Sequence, residues 1–178
     1  YVRERMGPGT VNVVPHSHYP TKDERWIAIA CTSDKIFARL AEAMGHPELA
    51  GDGKWGTIRQ REAERAEVDA YVAAWTQRYD RGELISLCDK FDVPCGPVYS
   101  VDEIFEDPQY KARGNIAYVD DDRVGTLAIP QVCPRLTDTP GSIEWLGPRL
   151  GEHNAEVFKG LLGLSDEEIA ALQAKDVV

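Results

Sequence analysis

Apolar side chains recur along this chain in two ways, as short unbroken runs and at helical spacing. The run RWIAIAC (Arg25–Cys31) is brief and apolar, and predicts a strand. Beyond it, Phe37, Leu40, Ala41 and Met44 fall at i, i+3, i+4 and i+7, one apolar face of a helix that Ser33 caps and Gly45 ends. Residues 46–56 read as a loop with a turn at Pro47–Ala50. Thr57 and Gln60 spell a capping box, which opens a long helix to about Tyr79 with Val68, Tyr71, Val72, Trp75 and Tyr79 as its stripe. The first half of that helix, IRQREAERAE, is charged and reads as solvated. Asp80 and Glu83 cap the next helix, to about Phe91, and Val93–Pro94 ends it because a residue before proline avoids the α region.

Gly96–Tyr99 reads as a short strand, followed by a Ser100–Glu103 capping box with Tyr99 and Ile104 as its hydrophobic staple. Asp107–Pro108 starts another helical turn. Ile116–Val119 and Val124–Ile129 predict a hairpin around Asp120–Arg123. Four prolines then interrupt residues 130–150, and two helices close the chain, Asn154–Leu162 and one from Ser165 with Glu168 completing its box. The fold class is therefore α+β: a small sheet with several packed helices, then an extended Pro-rich tail and two C-terminal helices. The expected organisation is an irregular lead-in over 1–24, a small α+β domain over 25–129, and a linker with the closing helices over 130–178.

The 178 residues suit one ordinary domain, or a small domain with an extension, and 43% are hydrophobic, enough for a core. The 20 basic and 30 acidic side chains leave a net charge of −10 with no basic cluster, which argues against nucleic acid as a partner. No apolar run approaches the roughly 18–20 residues that span a bilayer, and YVRERMGPGT has no signal core. No membrane partner is expected, and the cytoplasm is the expected location. The first residue is not Met, so the chain reads as the middle of a longer gene or as a trimmed chain. Cys31, Cys88 and Cys133 sit in apolar surroundings and read as buried thiols of a reducing compartment. Cys95 has no base near it in sequence and is not read as a nucleophile, and no CxxC pair suggests zinc.

Four segments carry a resemblance. VPCGPVYSVDEIFEDPQYKARG (Val93–Gly114) closely resembles the segment near the end of family III CoA-transferases, the CaiB/BaiF group. YPTKDERWIAIACTSDKIFARLAEAMGHPEL (Tyr19–Leu49) resembles the strand-then-helix opening of that family's small domain, with Glu24 where the family usually has glycine. LTDTPG (Leu136–Gly141) and LGEHNAEVF (Leu150–Phe158) follow in family order and at family-like spacing, so the resemblance covers essentially the whole chain.

The resemblance implies a large doubly wound CoA-binding domain ahead of this part, a tail that returns to it, and an interlocked homodimer. It implies movement of CoA between an acyl-CoA thioester and an organic-acid carboxylate through an aspartyl intermediate. Coenzyme A is then a moiety of the substrate, and no separate cofactor is expected. No segment here resembles the stretch with that aspartate, so the nucleophile is expected outside this chain and the chain alone is expected to be inactive. In some members a glycine-rich loop of the small domain folds over the active site. The corresponding place is Asn12–Tyr19, which has no glycine run but holds His16, Ser17 and His18, the substrate-loop candidates. The plainer reading of them is a solvated loop. No third ligand stands near His16 and His18, so no metal is expected. Asp34 is a weaker candidate, since an acid near this place approaches the site in the related racemase branch; it also fits a first-turn partner of the helix dipole. His153 and the carboxylates of Asp102, Glu103, Glu106 and Asp107 read as helix-start groups. Two alternatives stand beside the transferase: an α-methylacyl-CoA racemase of the same family, and a non-catalytic interaction domain whose 130–150 segment wraps a partner.

Overall fold

The computed structural model describes residues 4–178; residues 1–3 of the expected lead-in lie outside the described residues. The chain divides into a unit that ends at Ile104 and a second one, Phe105–Val178. The hairpin thus groups with the tail, whereas the sequence reading placed that boundary after residue 129. The architecture is α+β, as expected.

The first unit is built on a three-stranded antiparallel sheet of β1 (His16–Pro20), β2 (Trp26–Ala30) and β3 (Cys95–Pro97), in the order β1-β2-β3. β1 corrects the expectation of an irregular stretch over 1–24. Pro15 and Pro20 bracket it, and Tyr19 is its only buried residue, so no apolar alternation announces it. Pro20 is tolerated because it ends an edge strand. Ile27 and Ile29 of β2 point into a core shared with Phe37, Leu40, Val68, Val72 and Leu84.

Local chemistry explains the helices. α1 (Asp34–Ala43) begins where the Ser33 hydroxyl accepts the Ile36 amide at 3.3 Å. Gly45 then takes φ +79°, a left-handed conformation that glycine adopts without strain. The expected long helix is two: α2 (Ile58–Ala63) with its Thr57–Gln60 capping box, and α3 (Arg65–Thr76). Glu64 breaks them with a non-helical φ of −115°, and its carboxylate accepts the Trp55 indole N–H at 2.9 Å. α4 (Arg81–Lys90) carries the Asp80–Glu83 box. In the loop before α2, Gly56 lies so close to Gly51 that a Cβ there would stand 1.7 Å from the Gly51 carbonyl oxygen.

The division between units falls within α5 (Val101–Glu106). In the second unit, α6 (Pro108–Arg113) is capped by Asp107, whose carboxylate accepts the Gln109 and Tyr110 amides at 2.8 and 3.0 Å. β4 (Ile116–Asp121) and β5 (Gly125–Pro130) form the predicted hairpin. Residues 155–161 wind as a π-helix where an α-helix is expected, and α7 (Asp166–Gln173) closes the chain with its Ser165–Glu168 box. No residue from 105 to 178 is buried, and Cys133, expected inside, is exposed.

Candidate functional site

β1 carries all three substrate-loop candidates. In the antiparallel register His16 faces Ala30, and His18 faces Ala28, which in turn faces Gly96. Directly opposed residues share a face of the sheet. His16, His18, Ala28, Ala30 and Gly96 therefore form one surface, opposite the face that buries Tyr19, Ile27 and Ile29. Its floor is made of side chains no larger than a methyl group. The result is an open cleft of about 260 Å³, bordered by His16, Ser17, His18, Pro94 and Cys95. His18 is exposed and His16 half-buried, with the Nδ1 of His16 out of solvent and without a hydrogen-bond partner in the structure.

The strand is held from both ends. At the end of β1, the Tyr19 hydroxyl donates to Asp69 Oδ1 at 2.6 Å, and the Thr76 hydroxyl donates to the Pro20 carbonyl at 2.7 Å. Burial first, then that bond to Asp69, pushes the Tyr19 hydroxyl far above its ordinary range, so it stays a donor. Before β1, Arg61 is completely buried. Its Nε donates to the Val14 carbonyl at 2.7 Å, its Nη1 to the Trp55 carbonyl and its Nη2 to Asp34 Oδ1, both at 2.8 Å. The guanidinium lies over the Phe37 ring, 4.3 Å from its centre. Arg65 adds a bond from Nη1 to the Val13 carbonyl at 3.3 Å, and the Cys31 amide donates to the Pro15 carbonyl at 2.9 Å.

The start of this helix is largely exposed, as expected, and Arg61 is its buried exception. The signal lay in the spacing: Arg61, Arg65, Val68, Val72 and Trp75 fall along one helical stripe. Asp34 does not border the cleft; it is the half-exposed partner of Arg61. His153 belongs to the second unit, with its Nδ1 3.1 Å from Glu156 Oε2. A wider depression of about 760 Å³ also lies in that unit, between Asp121–Arg123 and residues 145–153. Its walls include no buried residue, so the smaller cleft, with its fixed strands, is the better candidate.

This arrangement offers no nucleophile with an adjacent base. It offers two imidazoles over a shallow floor, which suits a small polar ligand held by hydrogen bonds. Drug-sized ligands occupy roughly 300–1,000 Å³, so the cleft of about 260 Å³ has room for a small molecule. Among the described residues, no three His, Cys, Asp or Glu side chains come together to hold a metal ion, and no helix is long and apolar enough to cross a membrane.

Comparison with known proteins gives the context. The family model described as CoA-transferase family III matches residues 1–154. The succinyl-CoA–D-citramalate CoA-transferase of Chloroflexus aurantiacus is 44% identical over 178 residues, which is 100% of this chain and 44% of that protein. The alpha subunit of succinyl-CoA–L-malate CoA-transferase from Chloroflexus aurantiacus is 42% identical, over 99% of this chain and 41% of its own length. The crystal structure of a CaiB/BaiF family protein from Brucella suis superposes with a TM-score of 0.66 at 31% identity, covering 88% of this chain and 40% of that one. The chain thus spans less than half the length of these relatives.

Proposed function

This chain belongs to CoA-transferase family III, and from that premise we propose that it is the later part of an enzyme that moves CoA from an acyl-CoA thioester to the carboxylate of a small organic acid. The observation that carries the reading is the end-to-end match to two transferases named for succinyl-CoA with citramalate or malate. Succinyl-CoA is accordingly the first donor to test, and a short hydroxy-dicarboxylate the first acceptor.

The reaction needs a carboxylate nucleophile. An aspartate outside this chain attacks the acyl-CoA carbonyl and expels CoA thiolate, leaving a mixed anhydride. The thiolate returns to the aspartyl carbonyl and releases the donor acid, leaving an aspartyl-CoA thioester that the acceptor carboxylate attacks in turn. Each step exchanges one acyl bond for another, so one hard exchange becomes several easier ones. The part played by this chain is positional. His16 and His18 stand on the open sheet face, and the exposed ring of His18 is available to a carboxylate oxygen of the bound acid. The arginine clamp at Val13 and Val14 fixes where those rings stand. The exposed second unit lies, on this reading, against the large domain of the longer protein and its second copy.

The test compares the 178-residue chain with the longer protein that contains it, using succinyl-CoA against malate, citramalate and unsubstituted dicarboxylates, with hydroxylamine to trap the acyl-enzyme. Turnover and trapping in the longer protein alone are expected. Turnover by this chain alone, or epimerisation of an α-methylacyl-CoA in place of CoA transfer, would refute the proposal.

A further inference from the structure

We propose that a hollow in the second unit, between the end of α6 and the stretch after β5, binds a phosphate group through Arg113 and Arg135. Arg113 is the last residue of α6, and Arg135 lies beyond β5. Both border one depression of about 300 Å³, together with Asn115 and Gln131. Two contacts draw its walls together. The Gln131 amide donates to the Asn115 carbonyl at 2.9 Å, and Gly141 packs so closely on Val132 that a Cβ there would stand 2.4 Å from Val132 Cγ1.

The hollow is a positive place in an acidic chain. The whole chain carries a net charge of −10, yet among the described residues no Asp or Glu borders this space. The two segments that carry the arginines, Pro108–Val119 and Val124–Thr137, contain Lys111, Arg113 and Arg135 and no acid. Asp138 is the nearest acid to Arg135 in sequence, but it is not among the walls. The other two arginines of this unit are engaged, Arg123 with Asp121 and Arg149 with Asp122. Among the described residues, neither Arg113 nor Arg135 has an ion pair or a hydrogen bond.

The polar groups left over are donors. At the end of α6, the Tyr110 and Lys111 carbonyls already accept the Asn115 and Gly114 amides, each at 3.1 Å. The Gln131 side-chain oxygen accepts the Val132 amide at 2.9 Å, which leaves its NH2 group to donate. A guanidinium has five N–H donors and no acceptor. Arginine grips carboxylates and phosphates alike through two parallel bonds. A phosphate group, however, presents three strong acceptor oxygens and about two negative charges, against two oxygens and one charge for a carboxylate. Two guanidiniums with no acid between them therefore favour phosphate. An acyl-CoA ester carries such groups, but the site stands on these residues and not on the proposed transfer reaction.

The experiment uses the longer protein that contains this chain, modifies it with phenylglyoxal at low ionic strength, and maps the modified arginines by mass spectrometry. Pyrophosphate is the probe and malate the carboxylate control. Both arginines are exposed and are expected to react when no anion is added. Pyrophosphate is expected to slow Arg113 and Arg135 together, by about tenfold at roughly ten times its dissociation constant. Malate at the same concentration, and Arg123 and Arg149 under either anion, are expected to show no such slowing. Arg113→Gln is expected to abolish the protection of Arg135, because one ligand bridges the pair. Arginines that stay unreactive without an anion would mark the hollow as covered by another part of the protein and overturn the proposal. Equal protection by malate, equal protection of Arg123 and Arg149, or Arg135 still protected in Arg113→Gln would overturn it as well. No CoA transfer is measured, so the outcome is separate from that of the transferase assay.

Discussion

Arg61→Met tests whether a buried arginine, and not the hydrophobic core alone, fixes the strand that carries the histidines. Methionine keeps the unbranched stem and the contact with Phe37 but removes every donor. The Val14 and Trp55 carbonyls then lose partners at 2.7 and 2.8 Å. A buried acceptor without a partner costs about 1–3 kcal/mol, so the pair costs about 2–6 kcal/mol. Losing the guanidinium also removes its desolvation penalty, and methionine regains apolar contact, which offsets part of that sum. Asp34 adds little, because its side chain is 50% exposed and water replaces the lost donor. The net expectation is a loss of about 2–4 kcal/mol for Arg61→Met, against less than about 1 kcal/mol for Asp34→Asn. Urea unfolding followed by tryptophan fluorescence measures both, since Trp55 and Trp75 are buried in this unit. An Arg61→Met loss below about 1 kcal/mol would refute the clamp. A loss in Asp34→Asn equal to that of Arg61→Met would show that the ion pair, and not the two carbonyls, carries the energy.

Two further outcomes follow from named contacts. Glu103 accepts from Arg81 at 3.1 Å and from the Ser100 amide at 3.0 Å, and also pairs with Arg25. The Arg81 bond, chiefly, lowers its carboxyl from 4.5 to about 2. Because the folded value lies below the unfolded one, its stabilisation is present above about 4.5 and is lost as pH falls toward 2. Urea midpoints measured from pH 5 to pH 2 are expected to fall less steeply in Glu103→Gln than in the wild type, and parallel curves would count against the contact. Gly56→Ala places a Cβ 1.7 Å from the Gly51 oxygen, so the loop that presents the Trp55 carbonyl to Arg61 must shift. A loss of about 1–3 kcal/mol is expected by urea unfolding, and an unchanged midpoint would show that the loop yields freely.

Features written within a few residues of each other were legible in the sequence. The Thr57–Gln60, Asp80–Glu83 and Ser165–Glu168 boxes all form, because a capping box is a local exchange of hydrogen bonds. Features decided across distance were not. β1 has one open face and a single buried side chain, so apolar alternation could not reveal it. Arg61 of α2 is spaced in line with the apolar stripe of α3 but reads as solvated to any pattern that counts charge as exposure. Its stem packs and its head is satisfied by groups up to 47 residues away. The histidine cluster was visible in sequence, but its floor was not. Only the register sets Ala28, Ala30 and Gly96 opposite it.

The contrast between the two units bears on how the chain works. The first has a core of fully buried side chains, including Phe37, Leu40, Val68, Val72 and Leu84. The second orders residues 105–178 without burying one, while Trp145 stays 74% exposed and Leu161 78%. Fixing a backbone costs about 1–2 kcal/mol per residue, and burial is the main term that offsets it. A hairpin, an extended proline-rich stretch and short helices that bury nothing therefore lack the means to hold this shape by themselves. The chain spans 44% of the length of one relative. The same logic reaches the histidine cleft. A sheet face floored by Ala28, Ala30 and Gly96 gains little by being covered with its own helices, and stays open. The first unit is thus a clamped, self-sufficient core, and the second is held by little burial of its own.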